Sequence, residues 1–151
     1  MARVLTTTEE IRAVLERSRV VAVLGAHSDP GRPAFYVPDY LHGVGARILP
    51  VNPALVGQTL WGEPVRATLS ELGVPVDVVD VFRRSEALAG HLDDLLGMNP
   101  APAVVWMQQG IRDDVVAARL VAAGIDVVQD RCMLADHRRM GLGRITAGAI
   151  P

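Results

Sequence analysis

Five short apolar runs, each breaking off into a polar signature, limit what this chain can fold into. They are Val20 to Leu24, Ile48 to Val51, Asp77 to Phe82, Ala103 to Met107 and Ile125 to Val128. The first is continuous, apolar and rich in β-branched residues, the pattern of a parallel strand covered on both faces. The breaks are Gly25 to Pro33, Asn52-Pro53, Arg83-Arg84, Gln108-Gln109-Gly110 and Gln129-Asp130-Arg131-Cys132. In a parallel sheet all five gather along one edge, and function is expected there.

Helical signals fill the intervals. Thr7 with Glu10 three residues on has capping-box spacing, followed by Ile11, Val14 and Leu15. Tyr36, Val37, Tyr40, Leu41 and Val44 share a helical period, and Pro38 predicts a start or a bend nearby. A loop through Trp61-Gly62 leads to a short helix at Leu69 to Leu72. Ser85 is an N-cap candidate for a helix carrying Leu88, Leu92, Leu95 and Leu96. Asp113 and Asp114 suit the start of a helix that Gly124 stops; after Arg131 the signal degrades. Alternating strands and helices imply right-handed crossovers. The expected fold is α/β, a Rossmann-like doubly wound parallel five-stranded sheet, order 3-2-1-4-5, with helices on both faces. Residues 1–151 read as a single domain, because a 50% hydrophobic content with mean hydropathy +0.25 is ample for one core. Gly141-Leu142-Gly143 and Gly148 read as a loose tail.

A net charge of -2 with no charge run argues against nucleic acid and anionic membranes as partners. No apolar stretch approaches the roughly 20 residues of a bilayer span, and the first residues lack a secretory pattern. With a single cysteine, Cys132, the expected location is cytoplasmic. All 15 Lys+Arg residues are arginine, so any cationic contact to a ligand comes from a guanidinium fork suited to phosphate.

In open α/β sheets, ligands bind beyond the strand carboxyl ends where the winding reverses, beside the first strand's loop. Gly25 lets backbone approach a ligand there. The following helix supplies unpaired N–H groups and the positive end of its dipole, which suits a diphosphate. Ser28 can add a hydroxyl donor and Arg32 a charged one. The loop lacks both G-x-G-x-x-G and G-K-[ST]. The second strand ends in Asn52-Pro53 rather than the acid that holds a dinucleotide's ribose. A diphosphate ligand without a second ribose therefore fits best, and coenzyme A belongs to that class. An NAD(P)-dependent oxidoreductase is the alternative. So is an interaction protein with a vestigial nucleotide pocket, in which Gly25 and Asp29-Pro30-Gly31 merely turn. A Gly25→Asp change separates these readings: it should abolish ligand binding and leave folding nearly intact if the loop faces phosphate.

At these residues the chain resembles the CoA-binding-domain family, stand-alone proteins similar to the N-terminal domain of the succinyl-CoA synthetase alpha subunit. The resemblance runs along nearly the whole chain, through Val23 to Pro33, Ile48 to Pro53, Val78 to Arg84, Trp106 to Gly110 and Asp130 to Met133. It implies a CoA or acyl-CoA across the strand ends, with its pyrophosphate at Gly25, Ala26, His27 and Ser28 beside Pro33. The adenosine end would lie near Asn52 and Pro53, and the pantetheine arm would pass Val81, Phe82 and Arg83. The thiol would point toward Gln109, Gly110 and Cys132. Arg32, Arg83 or Arg84 is the candidate for the 3′-phosphate, since a dianion needs a cation. Ala54-Leu55 stands where the synthetase carries a basic residue after its second strand. The synthetase's phosphorylated histidine belongs to a further domain, so ligase activity does not carry over.

The residues favour a binding module, whether carrier, sensor or regulatory partner, over an enzyme. His27, His42, His91 and His137 are dispersed and form no metal spacing. Gln108 and Gln109 can donate amide hydrogens, but without a nucleophile and a base they make no hydrolase. Cys132 beside Met133 and Leu134 reads first as a small apolar residue and second as a thiol activated by Arg131. No catalytic or metal residue is assigned. A protein partner or a homodimer stays open.

Overall fold

The computed structural model describes residues 1–145. Its centre is a parallel sheet of five strands: β1 (Val20–Leu24), β2 (Arg47–Val51), β5 (Val78–Val81), β6 (Val104–Met107) and β7 (Asp126–Val128). A two-stranded hairpin, β3 (Thr59–Leu60) and β4 (Glu63–Pro64), is inserted after β2. Five α-helices are found among the described residues: α1 (Thr8–Glu16), α2 (Pro33–Gly43), α3 (Leu92–Leu96), α4 (Asp114–Ala122) and α5 (Met133–Arg139).

The doubly wound architecture is the one expected, and so is its winding. From edge to edge the order is β2-β1-β5-β6-β7, and the Arg66 segment, bridged in parallel to Val51 outside β2, takes the third place of the 3-2-1-4-5 pattern. The run read from Asp77 is β5, which pairs with β1 in the fourth place of that pattern. Pro50 explains why the third place holds a single bridge instead of a full strand. Its carbonyl accepts the Arg66 N–H at 3.0 Å on the side away from β1, so its missing N–H also faces outward. A full strand outside β2 would meet a gap in its ladder there, and proline confines its strand to an edge. A single bridge from Arg66 to Val51 occupies that position.

Each face of the sheet has its own core. Ala22, Leu24, Val79, Val81, Val105 and Met107 pack with Leu88, Leu95, Val116 and Leu120 on the face covered by α3, α4 and two 3-10 turns. Val21, Val23, Ile48, Val78, Val104 and Trp106 pack with Ile11, Leu15, Val37, Leu41 and Met133 on the face covered by α1, α2 and α5. The Thr7 capping box forms as expected, with Thr7 Oγ1 accepting the Glu10 N–H and the Glu10 carboxylate accepting that of Thr7. Asp113 likewise caps α4.

Other local expectations change. The Ser85 hydroxyl does not cap a helix; it accepts the Arg112 N–H at 2.9 Å, and Ser85–His91 is a 3-10 turn leading into α3. The glycines Gly141 and Gly143 do not open a loose tail, because Ile145 is buried in the second core and donates its N–H to the Val44 carbonyl. Gly148 lies outside the described residues.

Asp80, in the middle of the central strand, departs from the apolar pattern. It lies in register between Val23 and Trp106, is fully buried, and neither carboxyl oxygen has a hydrogen-bond partner among the described residues. Burial pushes its pKa well above the usual carboxylate range, so the neutral acid is the form the fold accepts. The folded state therefore holds a proton that the unfolded chain has released. The stabilisation this gives is full below the ordinary carboxylate pKa and is lost as pH rises from there through the raised folded value. Asp80→Asn removes this dependence. Urea unfolding of both proteins from pH 4 to pH 8 should show the variant gaining on the wild type by about 1.4 kcal/mol per pH unit within that window. A gap independent of pH would show that Asp80 is not held neutral.

Candidate functional site

The winding reverses at β1, which has β2 on one side and β5 on the other, and a cleft of about 620 Å³ opens at the carboxyl ends of these strands. Its lining includes Gly25, His27, Arg32, Pro33, Asn52, Phe82, Arg83, Arg84, Gln109 and Cys132, all expected from sequence. Five other expected residues stand outside the lining. Ala26 and Val81 are fully buried, Ser28 and Pro53 are exposed, and Gly110 turns away with its N–H on Asp130 Oδ1 at 2.7 Å. Ala34, Tyr36, Val37, Ala87, Gln108 and Ile111 line the cleft without having been singled out as site residues. Gln108 was legible in principle, because it follows β6 in the register that Phe82 occupies after β5.

The loop after β1 is built by neighbours that reach into it. The Val51 carbonyl accepts the N–H groups of both Gly25 and Ala26, at 2.9 and 3.2 Å. The buried Asn52 side chain donates Nδ2 to the Ala26 carbonyl and accepts the Ala54 N–H, at 2.8 and 2.9 Å. Asn52 thus braces the loop, and the amides of Gly25 and Ala26 are already satisfied. The N–H groups of Ser28 and Ala34 donate to no described residue, so they are the ones available to an anion.

Pro38 anchors the far side of the loop. Inside α2 it cannot donate to the carbonyl four residues back, that of Ala34. The His27 N–H donates to that freed carbonyl instead, at 3.3 Å. The His27 ring accepts the Asp29 N–H, and Asp29 Oδ1 accepts that of Gly31, which closes the turn into α2. Pro33 opens α2 at a position where a missing N–H costs nothing.

The cations gather on the same side. Arg83 is half-buried, and its Nε is enclosed without a partner among the described residues. Its Cδ and Nε would lie 3.3 and 3.2 Å from a side-chain carbon placed at Gly25, and the Phe82 carbonyl would lie at 2.9 Å. Gly25 has φ +89°, so the close approach and the backbone conformation both require glycine. Arg84 is exposed, and Arg32 approaches Asp29 only to 4.0 Å. Arg131 is committed elsewhere: Nε and Nη2 donate to the buried Asp136 at 2.7 and 3.1 Å. That leaves Arg32, Arg83 and Arg84 as the positive charge along the cleft. Cys132, partly buried at the start of α5, closes its other end.

No group of three or more metal-ligating side chains occurs among the described residues, and no helix among them is long and apolar enough to cross a membrane.

The comparisons with known proteins agree with this fold. A protein from Thermus thermophilus of known structure is 47% identical, with a TM-score of 0.84 over 89% of this chain and 99% of that one. A hypothetical protein from Pyrococcus horikoshii OT3 is 28% identical with a TM-score of 0.82, over 91% of this chain and 94% of that one. The protein YneT of Bacillus subtilis (strain 168) is 35% identical over 85% of this chain and 92% of its own length. The family model for the CoA binding domain matches residues 19–138, which run from the start of β1 into α5. This chain belongs to the CoA-binding-domain family.

Proposed function

We propose that this protein binds coenzyme A or an acyl-CoA in the cleft along the strand ends and acts as a carrier, sensor or regulatory module, not as a catalyst. The observation that carries the reading is one cleft lined by three arginines at the β1 and β5 ends, two glutamines beyond β6 and a thiol beyond β7. A ligand that is polyanionic at one end and uncharged along a thin arm at the other fits that distribution. Its diphosphate meets the free N–H groups of Ser28 and Ala34 at the start of α2, where the helix dipole favours negative charge. The backbone N–H of Arg83, which has no acceptor among the described residues, is available to an amide carbonyl of the arm. A dinucleotide fits less well, because Asn52 replaces the ribose-binding acid and its amide already braces the loop.

Calorimetric titration with CoA, dephospho-CoA, NADH and ATP tests the reading. CoA should bind tightest, dephospho-CoA more weakly, and NADH and ATP without measurable heat. Silence toward all four, or a preference for NADH, overturns it. At least one of Arg32→Gln, Arg83→Gln and Arg84→Gln should weaken CoA binding about tenfold or more while sparing dephospho-CoA, the size expected for a lost charge-assisted contact.

Gly25→Ala separates scaffold from contact. The sequence suggests that substitution here spares folding, but the 2.9 Å approach to the Phe82 carbonyl and the positive φ predict otherwise. The variant should lose about 1–3 kcal/mol of stability in urea unfolding and bind CoA poorly. Unchanged stability would show that the two strand ends can move apart.

Alkylation of Cys132 by N-ethylmaleimide, followed by intact mass, should slow when saturating CoA fills the cleft. An unchanged rate would place the ligand away from this end.

A further inference from the structure

Gln108 is the one glutamine of the cleft whose two amide ends can be told apart. It is 4% exposed, yet it lines the cleft. Its Oε1 accepts the Met133 N–H at 3.0 Å, which turns the Nε2 group the other way. Nε2 donates to no described residue, and it is absent from the fully enclosed unpartnered atoms, which are those of Asp80, Arg83 and His137. A nearly buried side chain thus aims an unused N–H2 into the cleft. Such a donor is open to solvent at the cleft and free to meet a ligand acceptor.

Its surroundings define that acceptor. The Gln108 N–H donates to the Val81 carbonyl at 3.2 Å, which sets Gln108 beside Phe82 along the strand ends. The Met133 contact sets it one peptide from Cys132. Phe82 and Cys132 both pack against the core beneath α2 and α5, so the surroundings are apolar. Arg131, the cation adjacent to Cys132, is held by Asp136. A neutral carbonyl oxygen satisfies an amide donor in this setting, whereas a free thiol is a weak acceptor.

We infer that Gln108 reads the acyl carbonyl of a thioester, so that this end of the cleft selects a short, neutral acyl-CoA over free CoA. This rests on the CoA reading above. Gln108 donates one hydrogen bond to the thioester oxygen, and Phe82 and Cys132 flank the acyl carbon chain.

The test compares ligands before it compares variants. Acetyl-CoA and S-ethyl-CoA have the same length, but the thioether carries a methylene in place of the carbonyl. Calorimetry on the wild-type protein should find acetyl-CoA about five- to tenfold tighter than S-ethyl-CoA, the range of one hydrogen bond. Equal affinities for the two overturn the inference and leave CoA binding standing; absence of binding by either ligand and by CoA overturns both. Gln108→Glu keeps an oxygen for the Met133 N–H and replaces the donor. In that variant the ratio between the two ligands should fall to about one. A ratio unchanged from wild type overturns the assignment of Gln108.

Discussion

The site depends on how closely the backbone after β1 approaches the backbone after β5. Gly25 sits so near the Phe82 carbonyl and the Arg83 side chain that even a methyl group would collide. The Phe82 N–H donates to the Leu24 carbonyl, and the Gly25 N–H to that of Val51, so three strand ends are tied together at the winding reversal. With no side chain between them, backbone and guanidinium share one wall of the cleft. A bulkier residue would separate the loop that offers N–H groups from the strand end that offers charge.

Two missing N–H groups place that junction. Pro50 leaves β2 no continuous ladder on its outer side, so only the Arg66 bridge pairs there before the chain crosses to the free side of β1, and the reversal falls between β1 and β5. Pro38 leaves the Ala34 carbonyl unfilled inside α2, and the His27 N–H takes it. The first proline leaves β2 the last full strand on its side of the switch point. The second ties the loop to the helix whose start faces the cleft. Both effects arise from the same chemistry, a backbone donor removed where a neighbour's geometry then has to answer.

Much of this was legible in the sequence, and the failures have physical causes. The apolar runs located all five sheet strands to within a residue or two, because strands buried on both faces are apolar nearly throughout, with Asp80 the exception inside β5. The 3-2-1-4-5 winding was legible as well, but not that its third place shrinks to the Arg66 bridge where Pro50 interrupts the ladder outside β2. Helix α5 escaped because its buried residues, Met133, Asp136 and His137, mix apolar with charged types. Asp136 is tolerated there only through Arg131 and Arg139, and His137 through Tyr40, whose hydroxyl lies 2.7 Å from Nδ1. Tertiary pairing of that kind leaves no periodic trace. Backbone amides were also invisible: Gly25 and Ala26 looked like anion donors until Val51 proved to hold both.

The distribution of charge explains how a chain of net charge -2 can still present a cationic cleft. Several arginines are neutralised locally: Arg3 by Glu10, Arg47 by Glu63, Arg112 by Asp114, and Arg131 and Arg139 by Asp136. No acid approaches Arg83 or Arg84 within ion-pair distance among the described residues, and Asp29 stands at the limit of that distance from Arg32. An Arg83 Nε enclosed without an acceptor carries an electrostatic cost that an anion in the cleft would relieve. Gln108 repeats the arrangement at the other end with a neutral donor. The cleft thus runs from unspent positive charge to an unspent amide, and that gradient sets the direction in which a ligand with a charged head and an uncharged tail lies down.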